Sequence, residues 1–417
     1  MAEIQPLRAL HYDPDVVGSL DRVLAPPYDV IDGERRVALA SRSTYNVVGI
    51  DLPVGDDPYT AAAAALARWR AEGAVVEDGE PALWPLTQSY DAPDGRRLTR
   101  SGFLCRVRVE PYGPGRIRPH ERTHPGPKED RLRLTRATRA NLSAIFSLYS
   151  DLDGRAREAL TGALAAGPPF GEATDDDGTL NRIWRVTDEA TITSVRAALA
   201  DAELLIADGH HRYETARTYA DEVGGEGNHR FVLMCLVALE DPGMTVFGTH
   251  RLVNGLDPAR REALGEAIRR DFEVADVSED ELVPRGEGPV RMGYMDAGSA
   301  RPSMLTLRDQ SIADRALAQH AEPYRQLDTA VLEALLLHGA LGMSEEDVSH
   351  LRGLGYCTDL GQTISLLKEG RYDAAFFMRA TPIEQVRAVA RAGESMPPKS
   401  TYFFPKIPTG LVFNPLT

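Results

Sequence analysis

The sequence predicts an α/β protein of mixed α+β type, and three observations carry that prediction. From Arg182 onward, short apolar runs of strand composition alternate with helical stretches. Upstream, residues 83–90 and 102–109 alternate in polarity on either side of the turn pair Asp94-Gly95, the pattern of a β-hairpin. A chain of 417 residues, at roughly 100–200 per domain, also has room for two or three units. The expected regions are 1–150, 151–280 and 281–417, the last ending in a docking tail.

In chain order, residues 25–31 read as an extended turn before a helix that begins near Asp32. The Ala-rich stretch 58–72 is a helix closed by Gly73. After the hairpin, residues 116–130 are polar and rich in Pro and Gly, the composition of a long loop. A helix over 129–140 and a strand over 144–149 follow. Residues 183–186, 204–207 and 231–239 read as strands, interleaved with helices over 195–202 and from Arg212 to about 222. Helices are expected at 258–270, 325–338 and 382–392, with a strand at 373–377.

Charge narrows the partners. With 47 Lys+Arg against 62 Asp+Glu the chain carries −15, which opposes coating of nucleic acid or an anionic membrane. The longest apolar run, 231–239, is far short of the roughly 20 residues of a bilayer span. The first residues lack the apolar core of a signal peptide, and Cys105, Cys235 and Cys357 are scattered. A reduced, cytoplasmic chain is expected. Of the 47 basic residues only Lys128, Lys368, Lys399 and Lys406 are lysines. Where arginine is used so freely, a retained lysine marks a place where a compact charge differs from a planar fork.

Four segments carry chemistry. Asp208-Gly209-His210-His211-Arg212-Tyr213 follows a buried strand and opens a helix, so the turn sits at a helix N-terminus, where amides and dipole favour an anion. His210, His211 and Arg212 add donors suited to phosphate, and Asp208 can hold Mg²⁺ or accept a proton. The second segment, 118–131, gathers His120, Glu121, Arg122, Thr123, His124 and Lys128 for a phosphoryl group or metal. Its H-x-x-x-H spacing lacks the helix zinc would need, because Pro119, Pro125 and Gly126 break it. In the third, 396–411, Lys399, Ser400 and Thr401 form a phosphate grip with Lys406 close behind, on a tail whose aromatics require burial. The fourth holds Tyr28 and Asp29, the latter a helix cap or a site acid. Lys128, Lys399 and Lys406 are expected to meet beside Asp208.

Together these segments resemble a widespread bacterial and archaeal family of unknown function (domain of unknown function 1015) with an HHRY signature, here His210-His211-Arg212-Tyr213. The P-P-Y-D element ending at Asp29, the H-E-x-T element at 120–123 and the M-P-P-K-S-T-Y-F tail at 396–403 match it as well. The resemblance implies a ParB/sulfiredoxin-like phosphate-binding core with additional α/β subdomains. That superfamily includes CTP-binding partition proteins, sulfiredoxin and free-serine kinases. No cysteine lies in a motif as sulfiredoxin chemistry would need, and no basic recognition helix is visible for a partition protein. The expectation is a kinase using ATP or ADP with Mg²⁺ on a small hydroxyl compound, L-serine first. Alternatives are a nucleotide-binding regulator and a hydrolase. Asp208 and Glu121 are then base and metal ligand in either order, His210 and His211 stabilise the phosphoryl group, and Tyr28, Asp29 and Tyr213 contact substrate. Gly209, Arg212, His120, Arg122, Thr123, Lys128, Lys399, Ser400, Thr401 and Lys406 are assigned to the nucleotide.

Overall fold

The computed structural model describes residues 2–92, 95–113, 116–119 and 125–417, and it is a mixed α/β structure. The chain divides into two compact units. The first comprises Met1–Pro119, Thr123–Thr245 and Pro405–Thr417; the second is mainly Val246–Phe404. Residue 150, one of the expected boundaries, falls inside the first unit, because the strand ending at Tyr149 pairs with later strands on both of its sides.

Among the described residues the first unit holds a nine-stranded sheet. Its strands are β1 (Ile4–Gln5), β2 (Trp84–Asp91), β3 (Arg97–Arg108), β4 (Ile117–Arg118), β5 (Ile145–Tyr149), β6 (Gly171–Thr174), β7 (Leu180–Ile183), β8 (Leu204–Asp208) and β9 (Phe231–Ala238). The order is β4-β8-β5-β9-β3-β2-β7-β6, with β1 beside the end of β3. The expected hairpin is β2–β3, antiparallel with Trp84 opposite Leu104. β9 is buried along its whole length and lies parallel to β5, as an unbroken apolar run requires of a strand covered on both faces. Phe103, Cys105 and Val107 alternate onto one face of β3, where they join Ile145, Met234 and Leu236 in the main core.

Helices α1 (Gly33–Arg42), α2 (Pro58–Ala71), α3 (Pro125–Thr138), α4 (Arg155–Ala165), α5 (Glu189–Ala198) and α6 (His210–Val223) belong to this unit. Asp32 caps α1 by accepting from the Arg35 amide at 2.8 Å. α3 begins at Pro125, four residues earlier than expected, since proline is tolerated in a first turn whose N–H groups lack intrahelical acceptors. Residues 405–417 are built into the first unit, while Tyr402, Phe403 and Phe404, the aromatics of the expected docking tail, belong to the second. Val412 and Phe413 are buried, Phe413 exchanges backbone hydrogen bonds with Leu10, and Asn414–Pro415 pairs with Ala140–Asn141. Burial of each such side chain contributes about 1.5–3 kcal/mol, enough to hold a tail that would otherwise fray.

The second unit has an antiparallel sheet of β10 (His250–Val253), β11 (Phe272–Asp276), β12 (Arg291–Asp296), β13 (Ser303–Leu307), β14 (Leu354–Cys357) and β15 (Ala374–Phe377). Its order is β11-β13-β12-β15-β10-β14. No helix among the described residues is long and apolar enough to cross a membrane.

Candidate functional site: a strand-to-helix turn closed by the tail

Strand β8 ends at Asp208, Gly209 turns the chain, and α6 starts at His210. Gly209 has φ +97°, in the left-handed region where a Cβ is strained, so glycine is the residue this sharp entry requires. Being glycine, it brings no side chain to the helix N-terminus. The first intrahelical bond runs from Tyr213 N–H to the Gly209 carbonyl, so the His210, His211 and Arg212 amides precede the helical ladder. His210 is buried and His211 half-buried.

Asp208 does not cap the helix. Its carboxylate lies between two cations: Oδ2 accepts from Arg212 Nη2, and Oδ1 accepts from Lys406 Nζ at 2.7 Å. All three side chains are largely shielded from solvent, which makes these bonds stronger than surface ion pairs. Arg212 also donates through Nη1 to Ser143 Oγ at 3.0 Å and to the Ala144 carbonyl. Ser143 in turn shares a hydrogen bond of 2.9 Å with Thr409 Oγ1, and Thr409 exchanges backbone bonds with Ala25. The tail therefore enters the network twice, through Lys406 on Asp208 and through Thr409 and Ser143 on Arg212. Further along α6, Lys128 Nζ donates to Glu214 at 2.8 Å.

Beside Arg212 lies a second charged group. Arg131 of α3 is buried and donates to the Asp51 carbonyl at 2.6 Å and to Asp51 Oδ1 at 3.3 Å, with Asp130 on its other edge. The Tyr28 ring lies 4.3 Å from its guanidinium. A cavity of about 40 Å³ is bounded by Asp51, Arg131, Ser143, Thr215 and Arg212. Burial raises the Asp51 carboxyl above the ordinary range, against the pull of Arg131 and Arg212. Burial likewise pushes the Tyr28 hydroxyl up to about 12, with Arg212 opposing. Asp29, exposed beside it, adds a raising charge to both.

Tyr213, assigned to substrate, is a core residue instead: fully buried, it stacks on Tyr112, donates to the Glu110 carbonyl at 2.8 Å and accepts from the Glu110 amide at 3.0 Å. Lys399, Ser400 and Thr401 belong to the second unit. There the buried Ser400 hydroxyl donates to the Pro397 carbonyl at 2.6 Å and meets Thr329 at 3.0 Å, bonds that hold its own loop. Thr401 is buried as well, and Lys399 is exposed. His120, Glu121, Arg122, Thr123 and His124 lie outside the described residues. Ser143, Thr409 and Asp51 were not singled out in the sequence. They are single polar residues in apolar or turn contexts, and only the fold gives them partners.

The donor set does not fit the expected metal at Asp208. Each of its oxygens already accepts from a cation, and an Mg²⁺ ion needs carboxylate oxygens turned toward it. Among the described residues no group of three or more His, Cys, Asp or Glu gathers where an ion would be held. Two of the three thiols are poor nucleophiles: Cys105 and Cys235 are buried, and burial raises both, Cys235 to about 12, while Cys357 is half-buried in the second unit.

Solved structures similar to this chain include a conserved hypothetical protein from Pyrococcus furiosus, at 15% identity and a TM-score of 0.36, covering 71% of this chain and 92% of that one. A free serine kinase in complex with AMP matches at 14% identity and a TM-score of 0.36, covering 71% and 89%. SbnI with a C-terminal truncation, from Staphylococcus aureus, matches at 11% identity and a TM-score of 0.36, covering 74% and 85%. No curated protein matches in sequence. The motif resemblance is borne out at the level of family, where a model spans most of the first unit and reaches into the second: through residues 4–330 this chain belongs to the DUF1015 family, proteins of unknown function.

Proposed function

We propose that the turn at Gly209 binds the phosphates of ATP or ADP, and that the protein is a phosphotransferase acting on a small hydroxyl compound. L-serine, the acceptor that the motif resemblance implies, is the first to test. One observation carries the reading: Arg212 from the helix and Lys406 from the tail converge on the strand-to-helix turn. A helix N-terminus flanked by a guanidinium and an ammonium offers a phosphate directed donors and compensating charge. Asp208 acts in this reading by fixing both cations. The base is then Glu121, the other carboxylate expected, or His211 at the mouth of the helix; it would take the acceptor proton as the hydroxyl oxygen attacks the terminal phosphorus and the bond from that phosphorus to its bridging oxygen breaks, releasing ADP from ATP or AMP from ADP. His210, Lys128, Tyr28 and Asp29 complete the proposed site, and no step is assigned to a metal.

The test is a thermal-shift series with ADP and ATP, followed by ³¹P NMR of phosphate transfer on adding L-serine. Binding at a hundredfold excess over Kd adds about 2.7 kcal/mol to stability, a readily seen shift. Binding without transfer to any hydroxyl compound would favour the regulator. Absence of binding would overturn the reading.

A further inference from the structure

On the face of the first sheet opposite the apolar core, three polar side chains stand in register across three strands. Arg100 of β3 pairs with Gln88 of β2, and Gln88 with Asn181 of β7. All three are at most 1% exposed. Such a row is costly, because buried polar groups need partners and a buried cation more so. Among the described residues no carboxylate is bonded to Arg100: Nη2 donates to Gln88 Oε1 and to the Pro405 carbonyl, its guanidinium lies 4.6 Å from the centre of the Phe146 ring, and Nε and Nη1 find no acceptor there. Burial pushes its pKa down to about 10, against the opposing pull of Cys235, Tyr90 and Asp241. An apolar residue would serve the sheet better, so the arrangement calls for another reason.

The reason lies in what the row holds. Gln88 Nε2 donates to the Lys406 carbonyl at 3.0 Å and to Asn181 Oδ1 at 2.8 Å. The carbonyls of Pro405 and Lys406 are thus gripped together, while the Lys406 side chain reaches Asp208. We infer that Arg100, with Gln88, is a positioning residue that acts on the phosphate turn through the tail, by fixing the backbone from which Lys406 reaches Asp208. The consequence for ligand rests on the phosphotransferase reading: Arg100 tunes nucleotide affinity without touching nucleotide. The coupling of Arg100 to Lys406 does not rest on it.

The two parts are tested separately. Acetylation of Lys406, followed by mass spectrometry with Lys368 as the exposed internal reference, reports the coupling without any ligand. In Arg100→Met, Lys406 is modified at least about threefold faster relative to Lys368 than in the wild type, the low end for side chains sharing one network. An unchanged rate in a folded variant overturns the proposal. If Arg100→Met fails to fold, Gln88→Leu removes the grip on the Lys406 carbonyl and is read in the same way. For ligand, ADP affinity is measured by calorimetry in a double-mutant cycle. Arg100→Met weakens ADP at least about threefold in the wild type and adds no loss in Lys406→Met. Equal losses in both backgrounds would show that Arg100 does not act through Lys406. Should wild-type protein bind no ADP, the phosphotransferase reading falls, and the acetylation rates still decide the coupling.

Discussion

Two lysines seven residues apart in the same proline-rich tail have unlike fates. Lys406 sits in the first unit, largely buried, with its ammonium on Asp208 at the helix mouth. Lys399 sits in the second unit, exposed, on a residue whose neighbour Ser400 is consumed by its own loop. Both segments carry Lys, Pro and aromatic residues, so composition does not separate them. What separates them is the partner: a shielded carboxylate turns a lysine into part of a charge network, whereas exposure leaves it solvated. A phosphate-like motif of Lys, Ser and Thr can be loop architecture.

The sharpest way to break this contrast is Asp208→Asn. It keeps the size and removes the charge that holds Lys406 and Arg212 in place. Phosphate transfer should fall by at least ~100-fold, the range for losing a positioned donor to the transferring group, because both cations lose the anchor that aims them. Stability should fall by about 3 kcal/mol, because two shielded cations lose their shared partner. Urea unfolding and a transfer assay on the same samples check both. Unaltered transfer would remove the turn from the proposed chemistry, and a stability loss with normal transfer would leave Asp208 a purely structural anion.

Much of this contrast was legible before the fold. The strand, glycine and helix of the 204–223 segment follow from an apolar run, a residue permissive at positive φ, and a helical composition. Not legible was which polar residues would be spent internally. Tyr213 belongs to the HHRY signature, yet its ring and hydroxyl are used by Tyr112 and Glu110, partners about a hundred residues away that no local pattern names. Arg100 and Gln88 look like ordinary residues of a half-exposed hairpin. Only the docking of residues 405–406 over them explains why they are buried. The helix start at Pro125 was missed because the same proline that breaks a helix interior is welcome in its first turn.

The second unit can be challenged through pH, with a slightly smaller effect. His250 is buried on β10, its Nδ1 accepting the Met378 amide at 3.1 Å, and burial, aided by Arg251, lowers its pKa from 6.5 to about 4. The folded value lies below the unfolded one, so the stabilisation is complete above about pH 6.5 and is lost as pH falls toward 4. At one unit per 1.36 kcal/mol, the loss across this window is up to about 3 kcal/mol. His250→Gln offers a non-titrating acceptor, so its urea midpoint should flatten between pH 7 and pH 4.5 relative to the wild type. Parallel curves would mean that His250 is not the titrating group. Ser400→Ala is smaller again. It strands the Pro397 carbonyl and Thr329, at about 1–2 kcal/mol, and should leave ADP affinity unchanged. A weakened affinity would return Ser400 to the nucleotide.

The smallest expected effect is the most pointed, because its sign is reversed. Lys399 has φ +57°, a left-handed conformation that costs a side-chain-bearing residue roughly 1 kcal/mol and glycine almost nothing. The loop imposes it: Ser400 is pinned on one side through Pro397 and Thr329, the Thr381 hydroxyl donates to the Ser400 carbonyl at 2.9 Å, and the buried Arg251 donates to the Pro398 carbonyl at 3.1 Å. Lys399→Gly therefore relieves strain without disturbing those bonds, and should stabilise the protein by about 0.5–1 kcal/mol after glycine's extra freedom in the unfolded chain is set against the gain. If the lysine side chain is idle, ADP affinity stays within about twofold, since a solvated surface charge contributes little. The two measurements are made on one sample, by urea unfolding and calorimetry. A gain in stability bought with a tenfold or greater loss of ADP affinity, on the order of 1.4 kcal/mol, would show strain kept for function and would place Lys399 beside Lys406 in the site.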